Sequence, residues 1–514
     1  MTTGHYTGCD LRDLTALTLP WQRENGQLRP CFSRSAALLS LELSAAAYHL
    51  EEESWAAAGW QDILYRGAEI DASPEEQEAG LSSLFHGIIQ KLKQNVSVTL
   101  RSKEEKKLDK ALFMAHPLPD GRFVIAIGLM GTELKLSDWA INLQVANENG
   151  LHQGFTSVAD KLLGTLNNIT FRATAAQLGL ASLTLHDIVE ECRRPGSRFI
   201  LWLSGHSQGA AVMQIFTMRL LQSGVMPRYV IGYGFASPRV LYEGFPGDIS
   251  DFPIFHILNR DDAVPKVGAL LHIGRCRLYT PDEQARRAWF PEDWGDESFR
   301  RLFSLAERVH STADSMVFLA AILQTLRCIP DEDAIAVVSE IMGRYLPERF
   351  GGALSGWLQN VMDSLQSKAQ QTYMTVSEGK PLPEFRARLW AHHLALENRR
   401  MGARSFIRRI LRIFTVPHHL AEEEDGVLIP CYAMIVTQYF YALRPCMTGE
   451  EAPLWHGKRE RLSAPRGQRG RFGAYSAGRR KAAARKKSSA ASTQGLTPFS
   501  AARNDGRGQF GRNS

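Results

Sequence analysis

Ser207 lies in Gly205-His206-Ser207-Gln208-Gly209, with the apolar run Phe199 to Leu203 just before it and a helix-forming run, Ala210 to Leu221, just after it. A strand, a sharp turn and a helix in that order hold a serine hydroxyl outward on a strained backbone, and larger side chains at the glycines would collide in so tight a turn. The five-residue pattern alone is weak, because glycine and serine are common. Its context favours a nucleophile over an ordinary serine in a glycine-rich turn. A serine hydroxyl is a poor nucleophile at neutral pH, so the chemistry implied, acyl transfer, needs a base within hydrogen-bond reach and an acid to orient that base.

Both partners are sought downstream. The apolar run Ile254 to Leu258 ends in Asn259-Arg260-Asp261-Asp262-Ala263-Val264-Pro265. Two carboxylates therefore stand at the carboxyl end of a predicted strand, where sites form in open α/β sheets. Asp261 and Asp262 are both candidates for the acid. For the base, histidines follow at His272, His310, His392, His393, His418, His419 and His456, and chain order does not choose among them. The adjacent pairs His392-His393 and His418-His419 lack the spacing of a metal-binding helix, and no metal site is read.

The elements that must position these groups follow from hydrophobic period. Four short apolar runs, Phe123 to Gly128, Phe199 to Leu203, Tyr229 to Phe235 and Ile254 to Leu258, read as buried strands. Helical stretches between them, including Ala159 to Leu178 and Ala210 to Ser223, predict βαβ units and a mainly parallel sheet flanked by helices. Arg34 to Leu50 has helical spacing, so the folded domain is expected to begin near residue 35, after an N-terminal extension of residues 1–34. Residues 331–450 read as a helical appendage broken at several prolines and glycines.

Five segments resemble the class 3 lipase family, to which the fungal triacylglycerol lipases belong. Besides the elbow, Gly131-Thr132 with Asp138-Trp139 is similar to the family's R-G-T/S…D/N-W segment, and His152-Gln153-Gly154-Phe155 to its H-x-G-F. Gly234-Phe235-Ala236-Ser237-Pro238-Arg239-Val240 resembles F-G-S-P-R-V, and Asp262-Ala263-Val264-Pro265 resembles D-x-V-P. The likeness covers roughly residues 35–325, within an expected domain of residues 35–330. It implies an α/β-hydrolase fold and a serine carboxylester hydrolase, lipase- or phospholipase-like, that cleaves acyl esters of lipids without a cofactor. It makes Asp262 the acid and favours His310 as base, with His393 in reserve and His272 as the family's non-catalytic histidine. Oxyanion donors are implied at Thr132 and at the backbone N–H of Gln208. The chain departs from the family at Leu129-Met130, where Phe-Arg is usual, which puts support of that loop in doubt. The apolar segment Leu134 to Leu143 corresponds to the family's lid; a permanently packed helix is the alternative.

Charge divides the chain. Residues 451–514 hold 15 Lys/Arg against three acids, leaving a net −6 for the first 450 of a +6 protein. Rich in Gly, Ala, Ser and Arg, this tail is expected to be disordered, because it has too little apolar surface to offset chain entropy. It could meet an anionic membrane surface, although most such runs are merely solvated, and specific nucleic-acid binding is not expected. Arg404, Arg408 and Arg412 opposite Phe406, Ile407, Ile410, Leu411 and Phe414 describe a cationic amphipathic helix, for which ordinary packing is the simpler reading. Seven scattered cysteines without C-x-x-C pairs, no signal-peptide pattern and no long apolar run point to a reducing, cytoplasmic setting. The competing functional reading is a catalytically idle hydrolase fold that works as an interaction module through its basic tail. Oligomeric state is left open.

Overall fold

The computed structural model describes residues 3–18, 21–24, 27–69, 107–131, 147–148, 150–242, 252–330, 332–333, 351–418, 423–424, 427–428 and 431–446. The expected disordered tail, residue 132 and the expected lid fall outside them.

The central sheet is built from β1 (Gln61–Glu69), β2 (Lys107–Pro117), β3 (Phe123–Leu129), β4 (Phe199–His206), β5 (Val230–Phe235), β6 (Ile254–Asn259), β7 (Arg275–Tyr279) and β8 (Arg444–Cys446). Its order is β8-β7-β6-β5-β4-β3-β2-β1. Strands β3 to β7 run parallel, with Leu129 opposite Gly205 and Gly205 opposite Gly234. The pairs β1/β2, β2/β3 and β7/β8 are antiparallel. All residues of β3, β4, β5 and β6 are buried. Sheets covered on both faces demand such unbroken apolar runs, which is why these four strands were readable. The outer strands β1 and β8, at the edges, and β2 and β7, next to them, are more polar or short and were not foreseen.

Side chains alternate across the sheet with period two. Ile200 and Trp202 of β4 join one apolar layer, and Phe199, Leu201 and Leu203 the other. The first layer is covered by α1 (Arg34–Ala46), whose N-cap Ser33 accepts a hydrogen bond from Ala36 N. Two buried serines of α1 are satisfied by the sheet: Trp202 Nε1 donates to Ser40 Oγ at 2.8 Å, and Ser44 Oγ lies 2.7 Å from Ser204 Oγ. The second layer is covered by α2 (Gln153–Gly164) and α3 (Gln208–Gln222), whose Phe155, Met213 and Phe216 are fully buried. The helix expected over Ala159 to Leu178 instead starts at Gln153 and ends at Gly164, with a further short helix at Arg172–Gln177. Gly164 and the Asn167-Asn168 pair oppose its continuation.

The expected domain boundaries are crossed by the core. Leu11, Leu14 and Leu17, from the expected extension, are buried in the same cluster as Trp202. So are Phe318 of α6 (Thr312–Leu326), Trp390 of α8 (Glu384–Met401), Phe406 of α9 (Ala403–Thr415) and Tyr432 of α10 (Cys431–Thr437). Strand β8 extends the sheet, and residues 1–459 form one compact unit. The segment read as an appendage is therefore structural wall. Its helices have apolar faces that need a partner, and periodicity alone does not reveal that the partner is the sheet layer.

In α9, Phe406, Ile410 and Ile413 are buried, while Arg409 pairs with Asp293 and Asp296, Arg412 with Asp293 and Arg404 with Asp333. Packing, with Arg404, Arg409 and Arg412 in ion pairs, accounts for this helix. No helix among the described residues is long and apolar enough to cross a membrane. Among the described residues Cys9, Cys192, Cys328 and Cys431 are free thiols.

Candidate active site

Ser207 links β4 to α3 with φ 55° and ψ −128°, a left-handed conformation that L residues avoid. Its backbone is held there by Ser207 N donating to Phe235 O at 2.9 Å, and by helix α3 starting at the next residue. The glycines are required by contact: a Cβ on Gly205 would lie 2.5 Å from the Gly209 carbonyl group, and one on Gly209 would strike the carbonyl of Leu129. Gly131 backs onto the turn as well, since a Cβ there would come within 3.1 Å of Ser207 Cβ.

The group within reach of Ser207 is His418, not His310. His418 Nε2 is 2.9 Å from Ser207 Oγ, and His418 Nδ1 is 3.0 Å from Asp262 Oδ2. With Nδ1–H donating to the carboxylate, Nε2 is left to accept the serine proton. His310 lies at the approach to α6, just before its N-cap Ser311. Its carbonyl accepts from Arg239 Nη2, and its side chain makes no hydrogen bond to Ser207 or Asp262. Burial and the nearby Lys266 and Arg260 cations push the His310 imidazole below its ordinary range. His393 is exposed on α8. His272 is buried with Nε2 2.7 Å from the Ser237 carbonyl, and burial pushes it well below the usual histidine range. The resemblance placed the base at the head of a helix, whereas the histidine beside Ser207 comes from a turn past the end of α9, some 110 residues beyond His310.

Asp262 and Asp261 separate by environment. Asp262 is fully buried, its Oδ1 accepting from Val264 N at 2.9 Å and its Oδ2 from both His418 and the Tyr432 hydroxyl at 2.8 Å. Asp261 turns the other way, into a two-pronged pair with Arg286 of α4 (Glu283–Trp289) at 2.7 and 2.9 Å. Burial raises its carboxyl above the usual range against the pull of Arg286. Arg286 also binds Glu307, which fixes the loop that carries both aspartates.

The turn carrying His418 is tied down by groups that the sequence did not single out. Asn259 Nδ2 donates to Pro417 O at 3.1 Å, and the Asn259 N–H donates to the Tyr432 hydroxyl at 3.2 Å. His206 Nε2 is 2.8 Å from the carbonyl of His418, so it must donate, and Nδ1 then accepts the Tyr48 hydroxyl 3.1 Å away. Only His206 carried a usable signal, as the residue beside the serine in the elbow. Gln208 is the first residue of the 15-residue helix α3, so its peptide N–H stands at the positive end of a helix dipole next to Ser207. Thr132 lies outside the described residues. Among those residues no group of three or more His, Cys, Asp or Glu side chains could hold a metal ion.

A mainly parallel sheet flanked by helices, with a serine on a strained strand-to-helix turn and a histidine and aspartate at the carboxyl ends of its strands, defines an α/β-hydrolase fold. Residues 127–271 match the model of the family described as lipase (class 3), and the resemblance to that family stands on this match. Similar solved structures include the native Rhizomucor miehei lipase propeptide complex, at 18% identity over 34% of this chain and 53% of that one, with a TM-score of 0.25. The lipase of Rhizopus microsporus var. chinensis is also 18% identical, over 33% and 56%, with a TM-score of 0.25. The Lip2 lipase of Yarrowia lipolytica is 15% identical over 34% and 61%, with a TM-score of 0.23. The chain thus spans little more than half the length of these lipases. No curated protein matches it.

Proposed function

We propose that this protein is a serine carboxylester hydrolase of the lipase type that cleaves acyl esters of lipids through an acyl-enzyme intermediate. In this reading His418 takes the Ser207 proton as Ser207 attacks the ester carbonyl, and Asp262 orients the imidazole and stabilises its charged form. The same histidine then returns the proton to the leaving alcohol, and water releases the acyl group by the reverse sequence. The N–H of Gln208 and a donor from residue 132 would receive the oxyanion. The observation that carries the reading is the hydrogen-bonded chain from Ser207 Oγ through His418 to Asp262 Oδ2. The class 3 lipase match over residues 127–271 supports lipid esters as the substrate class. A cytoplasmic location goes with it, to be tested by fractionation.

Labelling of the purified protein with a fluorophosphonate probe tests the assignment. Wild type and His310→Ala should label at comparable rates, Ser207→Ala should not label, and His418→Ala should lose most of its rate. Loss of labelling in His310→Ala with retention in His418→Ala would move the base back to His310. A wild type that does not label, with or without detergent, would favour the interaction-module reading.

A further inference from the structure

Strand β8 joins the central sheet through a short register on β7 that sets Cys276 against Cys446, Arg277 against Pro445 and Leu278 against Arg444. Residues directly opposite in an antiparallel pair have Cα atoms about 4.5 or 5.5 Å apart, and a disulfide spans Cα separations of about 4.4–6.8 Å. The backbone therefore holds two cysteine positions within the span of a disulfide. Nothing in the sequence marks them as a pair, because the fold alone brings together positions so far apart in the chain.

The other cysteines do not compete for this pairing. Side chains of β7 alternate across the sheet. The Arg277 guanidinium lies 5.0 Å from the Phe32 ring, on the side covered by α1, whereas Cys276 and Leu278 cluster with Leu258 on the opposite face. Cys31 adjoins Phe32 and acts on Tyr233, a residue of the α1-side layer, so it stands on the wrong face for Cys276. Burial pushes the Cys9 thiol up to about 11, Cys192 to about 12 and Cys431 well above the ordinary range, which leaves little thiolate for exchange. Cys328 is exposed just past the end of α6.

We propose that Cys276 and Cys446 are a modification site: an anionic small-molecule disulfide of the glutathione type joins them in a disulfide that staples the C-terminal segment to the sheet. The thiolate of one cysteine attacks a sulfur of the oxidant and releases one glutathione thiolate. The thiolate of the other then attacks the protein sulfur of the mixed disulfide and releases the second. Two protein thiols lose two electrons, one oxidant disulfide becomes two thiols, and the two protons pass to them. Arg444, exposed two residues before Cys446, is a cation for the oxidant's carboxylates to approach. The bond bears on the site because the segment that begins with α7 (Gly351–Val376) carries His418 and Tyr432 and contributes β8 to the central sheet. A cross-link between distant residues removes conformations from the unfolded chain, so the segment stays on the sheet under conditions that loosen the reduced protein. The bond does not rest on the hydrolase reading above; only its effect on labelling does.

The test treats full-length wild type and Cys446→Ser with oxidised glutathione, alkylates the remaining thiols and maps the peptides without reduction. Wild type should give a linked pair of peptides containing Cys276 and Cys446, and dithiothreitol should abolish it; Cys446→Ser should give none. The urea midpoint of oxidised wild type should rise by about 1 M over that of the reduced protein, with Cys446→Ser unmoved by the oxidant. The proposal is overturned if the oxidant leaves only glutathione adducts, if either cysteine links to a different one, or if the link forms and the midpoint does not move. Fluorophosphonate labelling is read separately: oxidised wild type should still label at urea concentrations that silence the reduced protein. A wild type that labels in neither state would sink the enzymatic reading and leave the peptide map and the midpoint to decide the bond.

Discussion

Tyr432 offers the sharpest probe of how the site is held. Its hydroxyl donates to Asp262 Oδ2 at 2.8 Å and accepts from Asn259 N at 3.2 Å, and both Tyr432 and Asp262 are fully buried. Tyr432→Phe removes one oxygen and leaves the ring's packing intact, so the loss is almost purely of hydrogen bonds. A bond to a charged group contributes about 1.5–3 kcal/mol, and a buried N–H left without a partner costs about 1–3 kcal/mol. Partial relaxation brings the expected destabilisation to about 3 kcal/mol, measured by urea unfolding. The effect on catalysis should fall on kcat, by about tenfold, with KM little changed, because Tyr432 acts on the acid rather than on substrate. A variant within about 0.5 kcal/mol of wild type, with an unchanged kcat, would refute the claim that this hydroxyl supports the acid.

Two further perturbations probe the elbow and the loop beyond Asp262. Gly205→Ala would drive a Cβ to 2.5 Å from the Gly209 carbonyl group, where only backbone can yield; loss of probe labelling with a thermally weakened fold is expected, and normal labelling would show that the turn is looser than it looks. Lys266 is 3% exposed and burial pushes its ammonium down to about 8, against the pull of Asp261 and Asp262. Below that pH both folded and unfolded chains carry the proton, so the folded state bears the full cost of a buried charge; between about 8 and 10.5 the unfolded chain alone retains the proton, and the cost fades. Lys266→Met should therefore stabilise by about 3 kcal/mol at neutral pH and by much less near the top of that window; equal gains at both pH values, or none at neutral pH, would contradict this.

The amino-acid sequence by itself determined the parallel centre of the fold and the position of Ser207. Strands β3 to β6 are buried on both faces, so their apolar runs are unbroken, and the elbow's glycines answer a local steric demand that leaves a local mark. The outer strands β1, β2, β7 and β8 carry no such mark, because they are short or, as in β2 (Lys107–Pro117), mix an apolar centre with polar ends. The choice between Asp261 and Asp262 was assisted by the resemblance, but its physical ground is tertiary: Arg286 claims one carboxylate and His418 and Tyr432 the other.

The histidine proposed as base is brought to Ser207 by tertiary structure alone. A histidine needs no particular neighbours in sequence to accept a proton; it needs a turn that brings Nε2 to the serine, and here that turn is fixed by Asn259, His206 and Tyr48 from distant elements. His310 and His418 are equally eligible in a string of residues. They differ only after the C-terminal helices close against the sheet, because 211 residues separate Ser207 from His418 and the energy that joins them lies in the packing between.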